Sequence, residues 1–235
     1  MSTPTERFSA LIPVEKLKES NIEIIGCGAI GRQIALLITQ LHPKIVTLYD
    51  FDDVAIENVG TQGYYPEDIG SKKVDALAAV CDKINPNAAY VVKPEKWEPH
   101  KNATLISFLC VDSMSARKSI AEQLLNPFID CRMSARTGRV LYADPANKES
   151  IEAYMKTIHP DSESLPEPCH ARSTPWCATF AASLAVSQFS KLMRNWNIKY
   201  LPSDLTFNMD TSEMFTSPAP EEPTSTPVAA TNATS

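Results

Sequence analysis

Short apolar runs and amphipathic stretches alternate along most of the chain. Residues 22–25 (Ile-Glu-Ile-Ile) and 45–49 predict two short buried strands. Residues 105–111 form an apolar run broken only by Ser107, as expected of a parallel strand covered on both faces. Between the first two runs, residues 32–41 set Ile34, Leu37, Ile38 and Leu41 on an i, i+3, i+4, i+7 stripe, which predicts a helix packed on the sheet. Residues 71–84 repeat that period with Val74, Leu77, Val80, Cys81 and Ile84. Further strands are predicted at 89–92, 127–131, 140–142 and 205–209, and further helices at 14–19, 114–125, 149–158 and 177–196. Residues 54–65 and 159–176 show no period and predict irregular segments, and 136–139 predict a turn. The alternation predicts an α/β fold with a mainly parallel central sheet.

The stretch between the first two strands carries the first chemical signal. Three of the chain's seven glycines fall in Gly26-Cys27-Gly28-Ala29-Ile30-Gly31, at the start of the first long helix, and the second strand ends on Asp50. Strand, glycine turn, helix, strand and acid is the nucleotide-binding half of a Rossmann-like unit. Glycines let the backbone approach a phosphate, the helix N-terminus favours its charge, and Asp50 is set to hold ribose hydroxyls. Alone, this does not separate NAD from ATP.

Composition narrows the class. A hydrophobic fraction of 43% supplies a sizeable core for one large domain, and a net charge of −6 argues against a nucleic-acid partner. The six cysteines form no CxxC pair, so no structural zinc is expected. No signal peptide and no 18-residue apolar run is apparent, which predicts reduced thiols, a cytoplasmic setting and no membrane span. Residues 1–21 are a polar N-terminal segment. Residues 22–210 predict the nucleotide-binding domain. Residues 211–235, rich in Thr, Ser, Pro and Ala, predict a disordered tail.

The residues beyond Asp50 separate the two nucleotides. The chain continues Asp50-Phe51-Asp52-Asp53-Val54, then Glu57-Asn58, Gln62 and Asp68-Ile69-Gly70-Ser71-Lys72-Lys73, with Asn85-Pro86 beyond. This order resembles the E1-like superfamily: ubiquitin-activating enzymes and their bacterial ThiF, MoeB and HesA relatives. The resemblance spans about 22–209. It implies ATP and Mg2+ as cofactors, with adenylation of the C-terminal glycine of a ubiquitin-like or sulfur-carrier protein. It implies nucleotide contacts from Gly26, Gly28, Ala29, Ile30, Gly31, Asp50, Asp52, Asn58, Gln62 and Lys73, and it makes Asp112 the residue that places Mg2+. Asp112 also fits the N-cap of the next helix. Lys72 reads as solvent-facing. Arg32, in the first turn of its helix, fits either a phosphate contact or an ion pair. Arg132, Arg136 and Arg139 fit either an anion site or a solvated basic turn. The helix at 177–196, with Phe180, Leu184, Gln188 and Leu192, resembles one that contributes to a homodimer. Two family arginines are replaced, by Ala10 and Thr61.

Residues 159–176 correspond to the family's crossover loop over the carrier tail. Cys169-His170-Ala171-Arg172-Ser173-Thr174-Pro175 resembles the catalytic-cysteine context of the SUMO-activating enzyme. Neighbouring His170 and Arg172 favour a thiolate, so Cys169 is the candidate for a thioester; the alternative is an inert loop thiol. The resulting expectation is an E1-like adenylyltransferase. The alternatives are an E1-like scaffold that binds nucleotide without activating a carrier, and a nicotinamide oxidoreductase.

Overall fold

A computed structural model describes residues 3–101, 104–163, 173–194 and 202–217. Cys169, His170 and Arg172, with the rest of residues 164–172 of the 159–176 loop, and the tail beyond 217 lie outside the described residues.

One eight-stranded sheet organises the chain, in the order β3-β2-β1-β4-β5-β6-β7-β8. Strands β1 (Asn21–Ile25), β2 (Ile45–Tyr49), β3 (Ala89–Lys93), β4 (Ile106–Leu109) and β5 (Phe128–Ser134) run parallel. Strands β6 (Thr137–Ala143), β7 (Asp204–Asn208) and β8 (Glu213–Ser217) add antiparallel to the β5 edge. All four residues of β4 are buried, as its largely apolar run predicts, and its one polar residue, Ser107, donates to Glu23 Oε2 at 2.8 Å.

The helices divide between the two faces. Ile22 and Ile24 of β1 point into a core closed by α2 (Ala29–Gln40), α4 (Lys73–Ile84) and α7 (Pro175–Met193). Ile25, one residue on, points into a second core closed by α5 (Met114–Ala121) and α6 (Lys148–Met155). This reversal follows from the two-residue period of a strand. Helix α7 buries Ala178, Ala181, Ala182 and Ala185, whose small side chains let it lie close against α2 and the sheet. Ahead of β1, the short helix α1 (Val14–Leu17) buries Leu17 in the first core.

Four expectations need correction. The segment at 54–65 is not irregular throughout but contains helix α3 (Ile56–Gln62). Val59 and Gly60 are poor helix formers and hide it, yet Asn58 Oδ1 accepts the Ala55 amide at 2.9 Å and closes the first turn. The turn at 136–139 is tighter: Ser134 pairs with Thr137, which leaves Ala135 and Arg136 as a two-residue hairpin loop with Ala135 at φ 44°. Gly138 therefore lies in β6, where an added Cβ would sit 2.3 Å from the Phe207 ring. The region from 211 is not wholly unstructured, because β8 pairs with β7 across a loop in which Asn208 Oδ1 accepts the amides of Asp210 and Thr211. Its order comes from backbone pairing to an open edge, which leaves no hydrophobic period in the sequence. Finally, α5 stops at Ala121, and Leu125 is exposed.

Candidate active site

The sheet order reverses between β1 and β4, and ligands of open α/β sheets bind beyond the strand ends at such a point. The glycine turn occupies that point. Gly26, at φ 93°, lies so near the end of β4 that a Cβ there would sit 2.7 Å from the Cys110 carbonyl oxygen. A Cβ on Gly31 would sit 1.8 Å from the Gly26 oxygen, so the turn folds tightly onto the first turn of α2. Gly28 is the N-cap of α2. Its missing Cβ faces space, with Gln62 Oε1 nearest at 3.9 Å. The free amides at this helix start and the sign of its dipole suit an anion.

Asp50 ties the turn to β2. Its Oδ2 accepts the Cys27 amide at 2.7 Å and its Oδ1 accepts the Asp52 amide at 2.9 Å. Burial pushes the carboxyl above its ordinary value, against the opposing pull of these two bonds. Each oxygen keeps a second lone pair for a hydroxyl donor.

Lys73 opens α4 and is buried, with its Nζ 2.9 Å from Asp52 Oδ2. Lys72 is more exposed; its Nζ lies 2.7 Å from Asp53 and also donates to the Phe51 carbonyl. The two adjacent lysines therefore separate as expected, one inward and one outward. Asn58 is buried, but its Oδ1 is engaged by the Ala55 amide, so only its amino group remains for a ligand. Gln62 Oε1 is buried without a hydrogen-bond partner. Arg32 is buried with its guanidinium 5.3 Å from the Tyr64 ring centre and 5.8 Å from that of Tyr65. No ion pair holds it among the described residues, so the ion-pair alternative is not met.

Asp112 is exposed just past β4. It is not the cap of α5: Ser113 Oγ accepts the Ala116 amide at 3.3 Å. Among the described residues no group of three or more His, Cys, Asp or Glu side chains converges for a metal. Mg2+ commonly takes one or two carboxylates and completes its shell with phosphate oxygens and water, so a lone Asp112 fits that donor set.

A second polar cluster lies beneath this loop, and no sequence pattern points to it. Asp130 is fully buried in β5. It accepts from Arg117 Nη1, from Arg132 Nε at 2.7 Å and from the Tyr154 hydroxyl at 3.0 Å. Arg117 also donates to the Val111 carbonyl, beside Asp112, and Arg132 donates to Thr157 after α6. Arg136 pairs instead with Asp210, and Arg139 with Asp204. The three arginines thus form neither a shared anion site nor one basic turn. An Asp in a strand gives no hint of Arg117, brought from α5, or of Tyr154, brought from α6. The segment after α6 is also tied to α5 by Asp161, which accepts the Met114 amide at 2.6 Å. Bonds from the Ser115 side chain and that amide hold its carboxyl below the ordinary range.

Four of the five described thiols are poor nucleophiles. Burial raises those of Cys27, Cys81 and Cys131, and moves that of Cys177 to about 11.

Residues 7–228 match the ThiF family. The chain belongs to that family. Ubiquitin-like modifier-activating enzyme 5 from Bombyx mori is 32% identical over 92 residues, which cover 37% of this chain and 23% of that protein. The Culex quinquefasciatus enzyme of the same name is 24% identical over 165 residues, 61% of this chain and 42% of that protein. The chain thus spans less than half the length of these curated relatives. The fold matches that of E. coli MccB, crystallised with AMPCPP and MccA, with a TM-score of 0.73 at 16% identity, over 94% of this chain and 73% of that one. The Rossmann-like α/β architecture is therefore that of the ThiF family. Among the described residues of this family member, no helix is long and apolar enough to cross a membrane.

Proposed function

We propose that this ThiF-family chain is an adenylyltransferase that activates the C-terminal carboxylate of a ubiquitin-like or other small carrier polypeptide with ATP. The observation that carries the reading is the glycine turn at the β1/β4 switch point, flanked by Asp50 on one side and by Lys73 and Gln62 on the other. The names of the relatives agree with it: one activates ubiquitin-like modifiers, and MccB is seen with an ATP analogue and MccA.

In this reading Asp50 orients the ribose, and the amides of Gly28, Ala29 and Ile30 receive the phosphates. Lys73 exchanges its bond to Asp52 for a phosphate oxygen. Asp112 would hold Mg2+, which would supply charge neutralisation at the polyphosphate. A carrier carboxylate oxygen attacks the α-phosphorus, the bond to the bridging oxygen breaks, and pyrophosphate leaves with an acyl-adenylate remaining. The chain's part is positioning and charge compensation. Cys169 then takes the acyl group as a thioester and AMP departs. A homodimer is the expected assembly, checked by light scattering.

The rival reading is a nucleotide-binding scaffold without carrier activation. It is favoured by the Lys73–Asp52 pair, which already neutralises the lysine, and by Thr61, whose hydroxyl is engaged by the Glu57 carbonyl. One experiment separates the two. Purified carrier, ATP and Mg2+ should support pyrophosphate exchange and a reductant-sensitive adduct on a gel. Cys169→Ala should keep exchange and lose the adduct. Nucleotide binding with no exchange establishes the scaffold instead, and an adduct that survives in Cys169→Ala removes that cysteine from the chemistry.

A further inference from the structure

Two cysteines stand side by side under the glycine turn. Leu109 of β4 pairs with Asp130 of β5 in the parallel register, so the next step along both strands sets Cys110 beside Cys131. The Cys110 amide still donates to the Ile25 carbonyl at 2.8 Å, which carries the strand run one residue past β4. Both side chains face the first core, in phase with Phe108 and Ile129 two residues before them. Neighbouring strands lie about 4.8 Å apart, within the Cα separation of about 4.4–6.8 Å that a disulfide spans. Burial, and after it the adjacent Cys110, push the Cys131 thiol well up.

The two thiols differ in access. Among the five described cysteines Cys110 alone is half-buried, and the other four are buried. A Cβ on Gly31 would stand 3.3 Å from the Cys110 Cβ, so this side chain is part of the floor of the turn. Other thiols are aimed elsewhere. Cys27 directs its sulfur at the Tyr49 carbonyl on β2, 3.8 Å away, and Cys177 directs its own at the Thr137 carbonyl on β6. A reachable thiol beside an enclosed one gives an oxidised first sulfur a resolving partner.

We infer that Cys110 and Cys131 form an oxidation site beneath the glycine turn, which a peroxide closes to a disulfide that weakens nucleotide binding. The last clause rests on the ATP reading above. The Cys110 sulfur attacks one peroxide oxygen, the O–O bond breaks, and water leaves with a sulfenic acid remaining. The Cys131 sulfur attacks that sulfur, the S–O bond breaks, and a second water leaves. Two thiols thus lose two electrons and two protons while one peroxide becomes two waters. Cys131 is a poor nucleophile, but its attack is intramolecular, and a high effective concentration offsets its small thiolate fraction. The disulfide needs its two Cβ atoms about 3.5–4.5 Å apart, closer than the strand spacing. Closure therefore draws the end of β4 towards β5, and with it the carbonyl against which Gly26 packs and the chain leading to Asp112.

The test treats the full chain with hydrogen peroxide, digests it without reductant and identifies linked peptides by mass. A Cys110–Cys131 link that dithiothreitol removes is expected. Cys131→Ala lacks the resolving thiol, so dimedone should capture the sulfenic acid at Cys110. Cys110→Ala should give neither product. Thermal unfolding checks that both variants fold, and the map of the unaltered chain decides the matter if one does not. No link in the unaltered chain, or a link from Cys110 to another cysteine, overturns the site. Calorimetry then compares ATP binding to the reduced and linked forms. Binding about tenfold weaker in the linked form is expected, restored by reduction, with no effect of peroxide in Cys110→Ala. By reciprocity, saturating ATP should raise the reduction potential of the pair by about 30 mV for that tenfold. Equal ATP affinity in the two forms overturns the effect on the nucleotide. If neither form binds ATP, the ATP reading falls, and the peptide map alone decides the oxidation site.

Discussion

Two adjacent lysines show how one position in a sequence divides function from surface. Lys72 caps α4 and is satisfied by Asp53 and a backbone carbonyl, while Lys73 points inward to Asp52. Lys73→Ala should abolish most ATP-dependent pyrophosphate exchange, a loss of about a hundredfold if the lysine makes a charged contact in the transition state. Its effect on stability should be small, because Asp52 is half exposed and can rehydrate. Lys72→Ala is the control and should exchange at nearly the unaltered rate. Equal rates in both variants would remove Lys73 from the phosphate site. The inward lysine was legible in the sequence because its order after Asp50 and Gly70 matches a family pattern. The Asp52 partner was not legible as such: the two are 21 residues apart and meet only because β2 ends beside the start of α4.

The glycine turn and α2 act as a unit, and their glycines have different duties. Gly31 is fixed by close approach, since any Cβ would overlap the Gly26 carbonyl. Gly28 has room, and its open side faces the expected phosphates. Gly31→Ala should therefore cost about 3 kcal/mol or more, at the upper end of overpacking penalties. Gly28→Ala should unfold at nearly the unaltered temperature yet lose ATP affinity, as the new methyl group occupies the phosphate space. Denaturant unfolding and calorimetry read the two effects separately. ATP binding retained in Gly28→Ala would show that the turn does not cradle a phosphate. The sequence announced this element because three clustered glycines between a strand and an amphipathic helix have few other uses. It did not announce α3, whose Asn58 closes a helical turn that Val59 and Gly60 disguise.

Across the molecule, Asp130 joins parts that are far apart in the chain. Through Arg117 it reaches α5 and the loop before Asp112, and through Arg132 the residues after α6 that lead to the Cys169 segment. Removing one member of a buried charge network leaves the others uncompensated. Asp130→Asn should thus cost about 3–5 kcal/mol. Its Tyr154 neighbour, whose phenol is pushed up by burial, loses its acceptor as well. Equilibrium unfolding in urea checks the magnitude. A cost below about 1 kcal/mol would mean that water reaches the site and that the network does not tie β5 and the residues after α6 to α5 and the Asp112 loop.

The sequence by itself determined the α/β alternation, the buried parallel strands, the glycine turn and the family. Each of these is a local or periodic constraint: a two- or 3.6-residue repeat, a turn that tolerates no Cβ, a short ordered motif. Tertiary structure decided what the charged residues do. Arg132 and Arg139 occupy neighbouring strands in register, yet one is buried on Asp130 and the other meets Asp204 on β7. Strand β8 exists because β7 offers an open edge, although its own residues carry no period. Charge pairing and edge pairing depend on which distant segments share a surface, and the energy of a buried charge depends on neighbours that only the folded chain supplies.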